Sequence, residues 1–207
     1  EVAHDIGYIS RITNQEDLEE YRAKGYSNDA TVGVSGIELS MEDQLTPYIE
    51  YRQGKQVVEI NRSGKIIREI EYQAPVDGNS VVLTIDSKLQ AAAETALRKN
   101  IAKINAMQVE LLEDEDWIVR NLETLAEYEE QEREIQLAQT GALIAMDPNT
   151  GRILAMCSHP TFDLSIFTGE MDMSAWQEIV EDSRNPLYNR AVTARDTPGS
   201  IFKLVTA

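Results

Sequence analysis

Residues 195–207 read Arg195-Asp196-Thr197-Pro198-Gly199-Ser200-Ile201-Phe202-Lys203-Leu204-Val205-Thr206-Ala207. Pro198-Gly199 is a turn dipeptide, and a stretch of helix formers follows it. Ser200 is therefore expected at or just inside a helix start, where backbone N–H groups are unpaired and the helix dipole is positive. Lys203 lies three residues on, one turn away on the same face. A serine nucleophile needs such surroundings: a nearby base, and a partly positive environment for the developing oxyanion. Ser-x-x-Lys is nevertheless short enough to arise by chance about once in a few hundred residues. Serine is also a common helix cap. The pair gains meaning only from the sequence around it.

Working back toward the start, two apolar runs, 141–146 and 152–157, flank Asp147-Pro148-Asn149-Thr150-Gly151. That is a strong turn signal, so a hairpin is expected. Behind it come Ser158, Pro160-Thr161-Phe162-Asp163, Phe167, Trp176, Pro186-Leu187 and Asn189-Arg190-Ala191. Before it, residues 81–86 read as a short buried strand. Leu89, Ala93, Leu97, Ile101 and Ile104 recur at helical spacing and predict a long amphipathic helix. Asp86 or Ser87 would start it, and Asp86 reads as a cap rather than a catalytic acid.

Residues 110–134 are strongly acidic, with the run Glu113-Asp114-Glu115-Asp116 and the cluster Glu129, Glu130, Glu132, Glu134. Trp117, Leu122, Leu125 and Tyr128 keep a partial helical spacing, which predicts a helix–loop–helix excursion. The spacing lacks the glycine and alternating ligands of a calcium loop, so the carboxylates read as a solvated face. The whole chain carries a net charge of −17. That charge argues against nucleic acid and against an anionic membrane surface as direct partners. The lone Cys157 rules out an internal disulfide and, in an apolar run, reads as a buried structural thiol. Two histidines and one cysteine make no metal constellation. No stretch has the apolar length of a membrane span.

The first 78 residues are loop-rich. Residues 4–9 are a short strand candidate, with His4 at the surface or the core edge. Asn14 caps a helix over 16–24. Gly33-Val34-Ser35-Gly36-Ile37-Glu38 opens a second helix running to about Leu45. Its Gly-x-x-Gly lacks the strand context and third glycine of a dinucleotide fingerprint, so it reads as a turn and not a phosphate site. Residues 56–61 and 65–72 form a hairpin around Arg62-Ser63-Gly64, with one wet face expected. Pro75-Val76-Asp77-Gly78-Asn79 is the clearest break.

These blocks, in this order, resemble the class B penicillin-binding proteins, the D,D-transpeptidases that cross-link peptidoglycan. The resemblance rests on His-x-x-Gly-Tyr, Val-Gly-x-x-Gly-Ile-Glu and Arg52-Gln53-Gly54 in the first part. In the second part it rests on Leu83-Thr84-Ile85-Asp86, the long hairpin, Asn189-Arg190-Ala191 and Pro-Gly-Ser-x-x-Lys. It leans toward the elongation-type, penicillin-binding protein 2-like enzymes. Ile201 stands where Thr or Val is usual, and Thr197 where Pro is usual; neither departure removes a reacting group.

The resemblance implies an α+β chain. Residues 1–78 would be part of a non-catalytic pedestal, and 79–207 the opening of a serine transpeptidase/β-lactamase-like domain, with an acidic helical insertion over about 108–138. It makes Ser200 the nucleophile and Lys203 the residue that activates it, with no metal or organic cofactor. The implied partners are D-Ala-D-Ala stem peptides, β-lactams and membrane proteins of cell-wall elongation. The implied location is the extracytoplasmic face of the cytoplasmic membrane, with an anchor upstream. The family's Ser-x-Asn and Lys-Thr/Ser-Gly motifs are expected after residue 207, so these residues alone are expected to be inactive and to leave apolar surface on 141–157 uncovered. The alternative is a non-catalytic module that docks elongation partners. A serine β-lactamase or β-lactam sensor would not carry the blocks at 4–54.

Overall fold

The computed structural model describes residues 2–49, 52–168, 172–195 and 199–206. Pro198 of the expected turn, with Asp196, Thr197 and Ala207, lies outside the described residues. The first elements are α1 (Ala3–Ile6), β1 (Ile9–Arg11), α2 (Gln15–Ala23), β2 (Thr31–Gly33), α3 (Gly36–Ser40), α4 (Glu42–Leu45), β3 (Lys55–Ile60) and β4 (Ile66–Gln73). They are followed by α5 (Ser87–Glu113), α6 (Glu115–Arg120), α7 (Leu122–Glu130), β5 (Gly141–Met146), β6 (Ile153–His159), α8 (Met173–Glu181), α9 (Arg190–Thr193) and α10 (Lys203–Thr206). The α+β expectation holds. Among the described residues the strands form three separate antiparallel pairs, β1–β2, β3–β4 and β5–β6.

Two compact units divide the chain. One is Asp5–Leu83 with Leu164–Met171, and the other is Thr84–Asp163 with Glu1–His4 and Asp172–Ala207.

In the first unit Asn14 caps α2 as expected, its Oδ1 accepting from the Glu16 N–H at 3.0 Å. The core is small: Tyr26, Ala30 and Val32 are buried, with Ile12, Tyr21 and Tyr48 packed around them. Glu42 joins its parts, accepting from Tyr26 Oη at 3.0 Å and from the Gly33 N–H at 2.7 Å. Burial pushes the Tyr26 hydroxyl up to about 12. Arg52 is buried and donates through Nη1 to the carbonyls of Gln44 and Thr46, both at 2.9 Å.

Two expectations fail here. Residues 3–6 form a single helical turn, and the strand begins only at Ile9. The helix expected from Gly33 to Leu45 is two short helices, because Gly33 closes β2 and Met41 adopts a non-helical ψ of 17°. The glycines explain the tight path. Gly36 has φ +58°, and a Cβ there would lie 2.6 Å from the Asp5 carbonyl oxygen. Gly7 has φ +81° and would place a Cβ 1.9 Å from the Ser35 carbonyl oxygen. Only glycine permits both the left-handed conformation and the contact.

The β3–β4 hairpin also departs from its expected pattern. All eight residues of β4 are exposed, including Ile66, Ile67, Ile70 and Tyr72 at 57–62%. One dry and one wet face had been expected; within this unit both faces of β4 are open.

In the second unit α5 packs on β5–β6. Ala93, Leu97 and Ile101 meet Ala155 and Cys157, with Leu143 and Ala145 alongside. The helical spacing and the buried Cys157 thiol are as expected. Leu89 and Ile104 are the exceptions, at 39% and 40% exposure. Asp86 is the cap, its Oδ1 accepting from the Lys88 and Leu89 N–H groups at 2.9 Å.

The strand expected over 81–86 does not form, and Val82 is 92% exposed. This segment touches β6 through Thr84 Oγ1 to the Ile153 carbonyl (2.6 Å) and the Asp86 N–H to the Leu154 carbonyl (2.9 Å). A ladder cannot continue, because the next outward groups of β6 belong to Gln90. The Gln90 amide donates to the Met156 carbonyl and accepts from the Met156 N–H, both at 2.8 Å. On β5 the alternate side chains Ile144 and Met146 stay 48% and 55% exposed.

Candidate active-site segment

The residues that precede the segment carrying Ser200 and Lys203 are anchored to the end of β6. Ser158 is the pivot. Its Oγ donates to the Tyr188 carbonyl at 3.2 Å and accepts from the Arg190 N–H at 3.0 Å. Arg190 gathers three backbone carbonyls: those of Asn185 at 3.2 Å, Tyr188 at 3.3 Å, and Arg184. A planar guanidinium with five fixed donors suits such a task better than a lysine. The same group lies 5.4 Å from the centre of the Tyr188 ring, a cation–π contact.

Asn189 completes the turn. Its Oδ1 accepts from the Ala191 N–H at 3.2 Å and caps α9, while its Nδ2 donates to the His4 carbonyl at 3.4 Å. His4 is buried at 9% exposure, which corrects its expected place at the surface or the core edge. His4 Nε2 lies 2.6 Å from the Pro186 carbonyl, which can only accept, so Nε2 carries the proton. The imidazole also meets Phe162 edge-on, with ring centres 5.1 Å apart. Burial lowers the His4 pKa below 6.5; the Pro186 bond opposes that shift, and the Arg190 charge adds to it.

Beyond α9 the chain enters a 3-10 turn over Gly199–Phe202 that runs into α10. Gly199 has φ +56°, the left-handed conformation expected of a turn glycine. Ser200 sits inside the 3-10 turn, and Lys203 is the first residue of α10; both are exposed. The two residues thus stand three positions apart across the junction of the 3-10 turn and α10. Among the described residues no hydrogen bond joins Ser200 Oγ to Lys203 Nζ.

Sequence reasoning singled out Ser200 and Lys203 but gave no role to Ser158, Asn189, Arg190 or His4 in holding the residues that precede them. Asn189 was readable as a cap before Arg-Ala-Val-Thr. Ser158 and His4 bond to carbonyls 30 and 182 residues away, which no local pattern displays, and the carbonyls that Arg190 gathers are local but carry no motif.

Two family models match the chain. The penicillin-binding protein dimerisation domain matches residues 1–83. The penicillin-binding protein transpeptidase domain matches residues 141–207. The peptidoglycan D,D-transpeptidase MrdA of Acinetobacter baumannii is 28% identical over 99% of this chain, which covers 24% of that protein. MrdA of Escherichia coli K12 is 28% identical over 98% of the chain and 26% of its own length. The chain thus spans about a quarter of the length of the curated relatives it matches.

Among solved structures, one from a peptidoglycan synthase complex that coordinates polymerization and crosslinking is 35% identical, with a TM-score of 0.69. It is matched over 99% of this chain and 30% of its own. A Helicobacter pylori penicillin-binding protein, PBP2, solved in complex with MreC, gives a TM-score of 0.59 at 23% identity. It is matched over 98% of this chain and 29% of its own, a likeness of fold alone.

Proposed function

We propose, on the premise that this chain belongs to the penicillin-binding proteins and carries their dimerisation domain and the opening of their transpeptidase domain, that the protein containing it is a serine D,D-transpeptidase of peptidoglycan. The observation that carries the proposal is the Ser200-x-x-Lys203 pair at the junction of a turn and a helix, within the stretch matched by the transpeptidase model. In this reading residues 1–78 are part of the pedestal, and residues 79–207 open the catalytic domain, with the acidic excursion between α5 and β5.

The chemistry is two-step acyl transfer. Lys203 in its neutral form takes the Ser200 hydroxyl proton as Oγ attacks the penultimate D-Ala carbonyl. The tetrahedral oxyanion is held by backbone N–H groups, that of Ser200 among them. Collapse expels terminal D-Ala, whose amine takes the proton back. An amine of a neighbouring stem peptide then attacks the ester, forms the cross-link and returns the hydrogen to Ser200 Oγ. A β-lactam enters the same first step, but its opened ring stays tethered. The reaction belongs at the extracytoplasmic face of the cytoplasmic membrane, with an anchor outside these residues.

A β-lactam adduct tests the assignment directly. The intact mass of a protein containing these residues should rise by one penicillin, and the modified peptide should contain Ser200. Ser200→Ala should remove the adduct. An adduct that survives in Ser200→Ala, or none on the unaltered protein, would overturn the proposal.

A second reading is favoured by the β3–β4 hairpin: the pedestal as a docking surface for elongation proteins of the cell membrane. Its support is the row of exposed apolar side chains on β4 and the H. pylori relative solved with MreC. The two readings describe different parts of one protein.

A further inference from the structure

We propose that the acidic excursion between α5 and β5 is a docking groove for a basic amphipathic segment of another protein. It is independent of the acyl-transfer assignment, and residues 84–140 lie outside both family matches.

The excursion is built as a closed loop. It leaves α5, turns through α6 and α7, and returns to the same part of α5. Gln108 Oε1 accepts from the Ala138 N–H at 2.6 Å, and Asn105 Nδ2 donates to the Ala138 carbonyl at 3.0 Å. Asp114 separates α5 from α6, its side chain capping α6 at the Trp117 N–H (2.8 Å). The path is therefore fixed at both ends and at its first corner.

Inside the loop lies a cavity of about 540 Å³ whose apolar walls are Trp117, Leu125, Tyr128 and Ile135. No residue of α6 or α7 is buried, and Ile135 is 40% exposed. These helices thus present an apolar interior without covering it. Apolar side chains at helical spacing around an open groove are the receptor form of helix-in-groove recognition.

Charge selects the occupant. Residues 110–134 hold eleven carboxylates against two arginines, a net of −9. Of the arginines, Arg120 is turned onto its own helix, donating to the Asp116 carbonyl at 2.9 Å. Arg133 lies over the Tyr128 ring, 4.6 Å from its centre. The groove therefore already seats one guanidinium on its aromatic wall, and the other charged residue lining it, Glu134, is negative. A second copy of this chain would bring the same negative field, and an anionic membrane would be repelled. A partner with apolar residues one helical turn apart, flanked by Lys or Arg, matches both the walls and the rim.

The two tryptophans give the test. In the ¹⁵N-labelled chain the indole signals of Trp117 and Trp176 are told apart with Trp117→Phe. A short helix-forming Leu/Lys amphipathic peptide, added at physiological salt, should move the Trp117 signal saturably and leave Trp176 in place. Leu125→Ser should weaken binding about tenfold. The surface pair Glu129→Gln and Glu130→Gln should weaken it several-fold and flatten its salt dependence; this pair carries the test if Leu125→Ser does not fold. A Leu/Gln peptide of the same pattern and phosphatidylglycerol vesicles should leave Trp117 unmoved. The proposal is overturned by an unmoved Trp117 at saturating peptide, by equal binding of the Leu/Gln peptide or the vesicles, or by undiminished binding in the folded variants.

Discussion

Gln90 shows how one side chain can close a sheet edge. It is 1% exposed, and its amide pairs with both backbone groups of Met156 as a neighbouring strand would. A hydrophobic replacement keeps the volume and strands a buried N–H and C=O. Gln90→Leu should therefore cost about 2–4 kcal/mol by urea denaturation, and a loss below 1 kcal/mol would show that water replaces the amide. His4 makes a pH-dependent contribution. Its folded pKa lies below 6.5, so the unfolded chain takes the proton first. Its share of stability is complete above pH 6.5 and is lost as pH falls from there to the lowered folded value. Comparing urea midpoints at pH 7.5 and 5.5, His4→Gln should shrink the difference; an unchanged difference would assign it elsewhere. His159, also lowered by burial and by Arg184, Arg98 and Arg190, should keep a remainder. These roles were illegible in sequence because their partners are distant. Asn14 and Asp86 were legible because a cap bonds two or three residues away.

At the scale of elements, helical periodicity was informative where one face is buried. Leu97 and Ile101 lie on the α5 stripe against Ala155 and Cys157. Leu97→Ala should cost about 2–4 kcal/mol. On β4, Ile67→Thr should shift stability by about 0.5 kcal/mol or less, since Ile67 is 60% exposed. If thermal unfolding ranks the two equally, the hairpin is part of a core after all. The sequence of the β3–β4 hairpin predicted its strands and turn, because alternation and a glycine connection are local. It could not predict that both faces of β4 stay open, because burial depends on what lies above the sheet. Residues 81–86 failed for the opposite reason: Val and Ile suit a strand, but the β6 edge they would pair with is occupied by Gln90.

For the whole molecule, composition and motif order carried more than any single pattern. The α+β class and the family followed from blocks spread over the chain, whereas Ser-x-x-Lys alone would not have sufficed. Division into two units was visible only in part. The Pro75–Asn79 break reads like a boundary, yet the compact unit runs on to Leu83 and takes in Leu164–Met171. The Asn79 N–H bonds to the Gln44 carbonyl at 2.7 Å, tying the break back to the first unit. A returning segment of this kind has no sequence signature. The charge was legible as a total, and its concentration in one excursion was legible from the run of acids; the apolar cavity beneath it was not.

The double clasp of Asn105 and Gln108 on Ala138 also makes the intervening stretch a natural graft point. Its entrance and exit are neighbours, so changing the length between them adds little closure entropy. A descendant, or an engineer, could exchange the acidic arm for another cassette there and leave the α5–β5 framework intact. The α5–β5 framework and the acidic arm are then free to diversify at different rates.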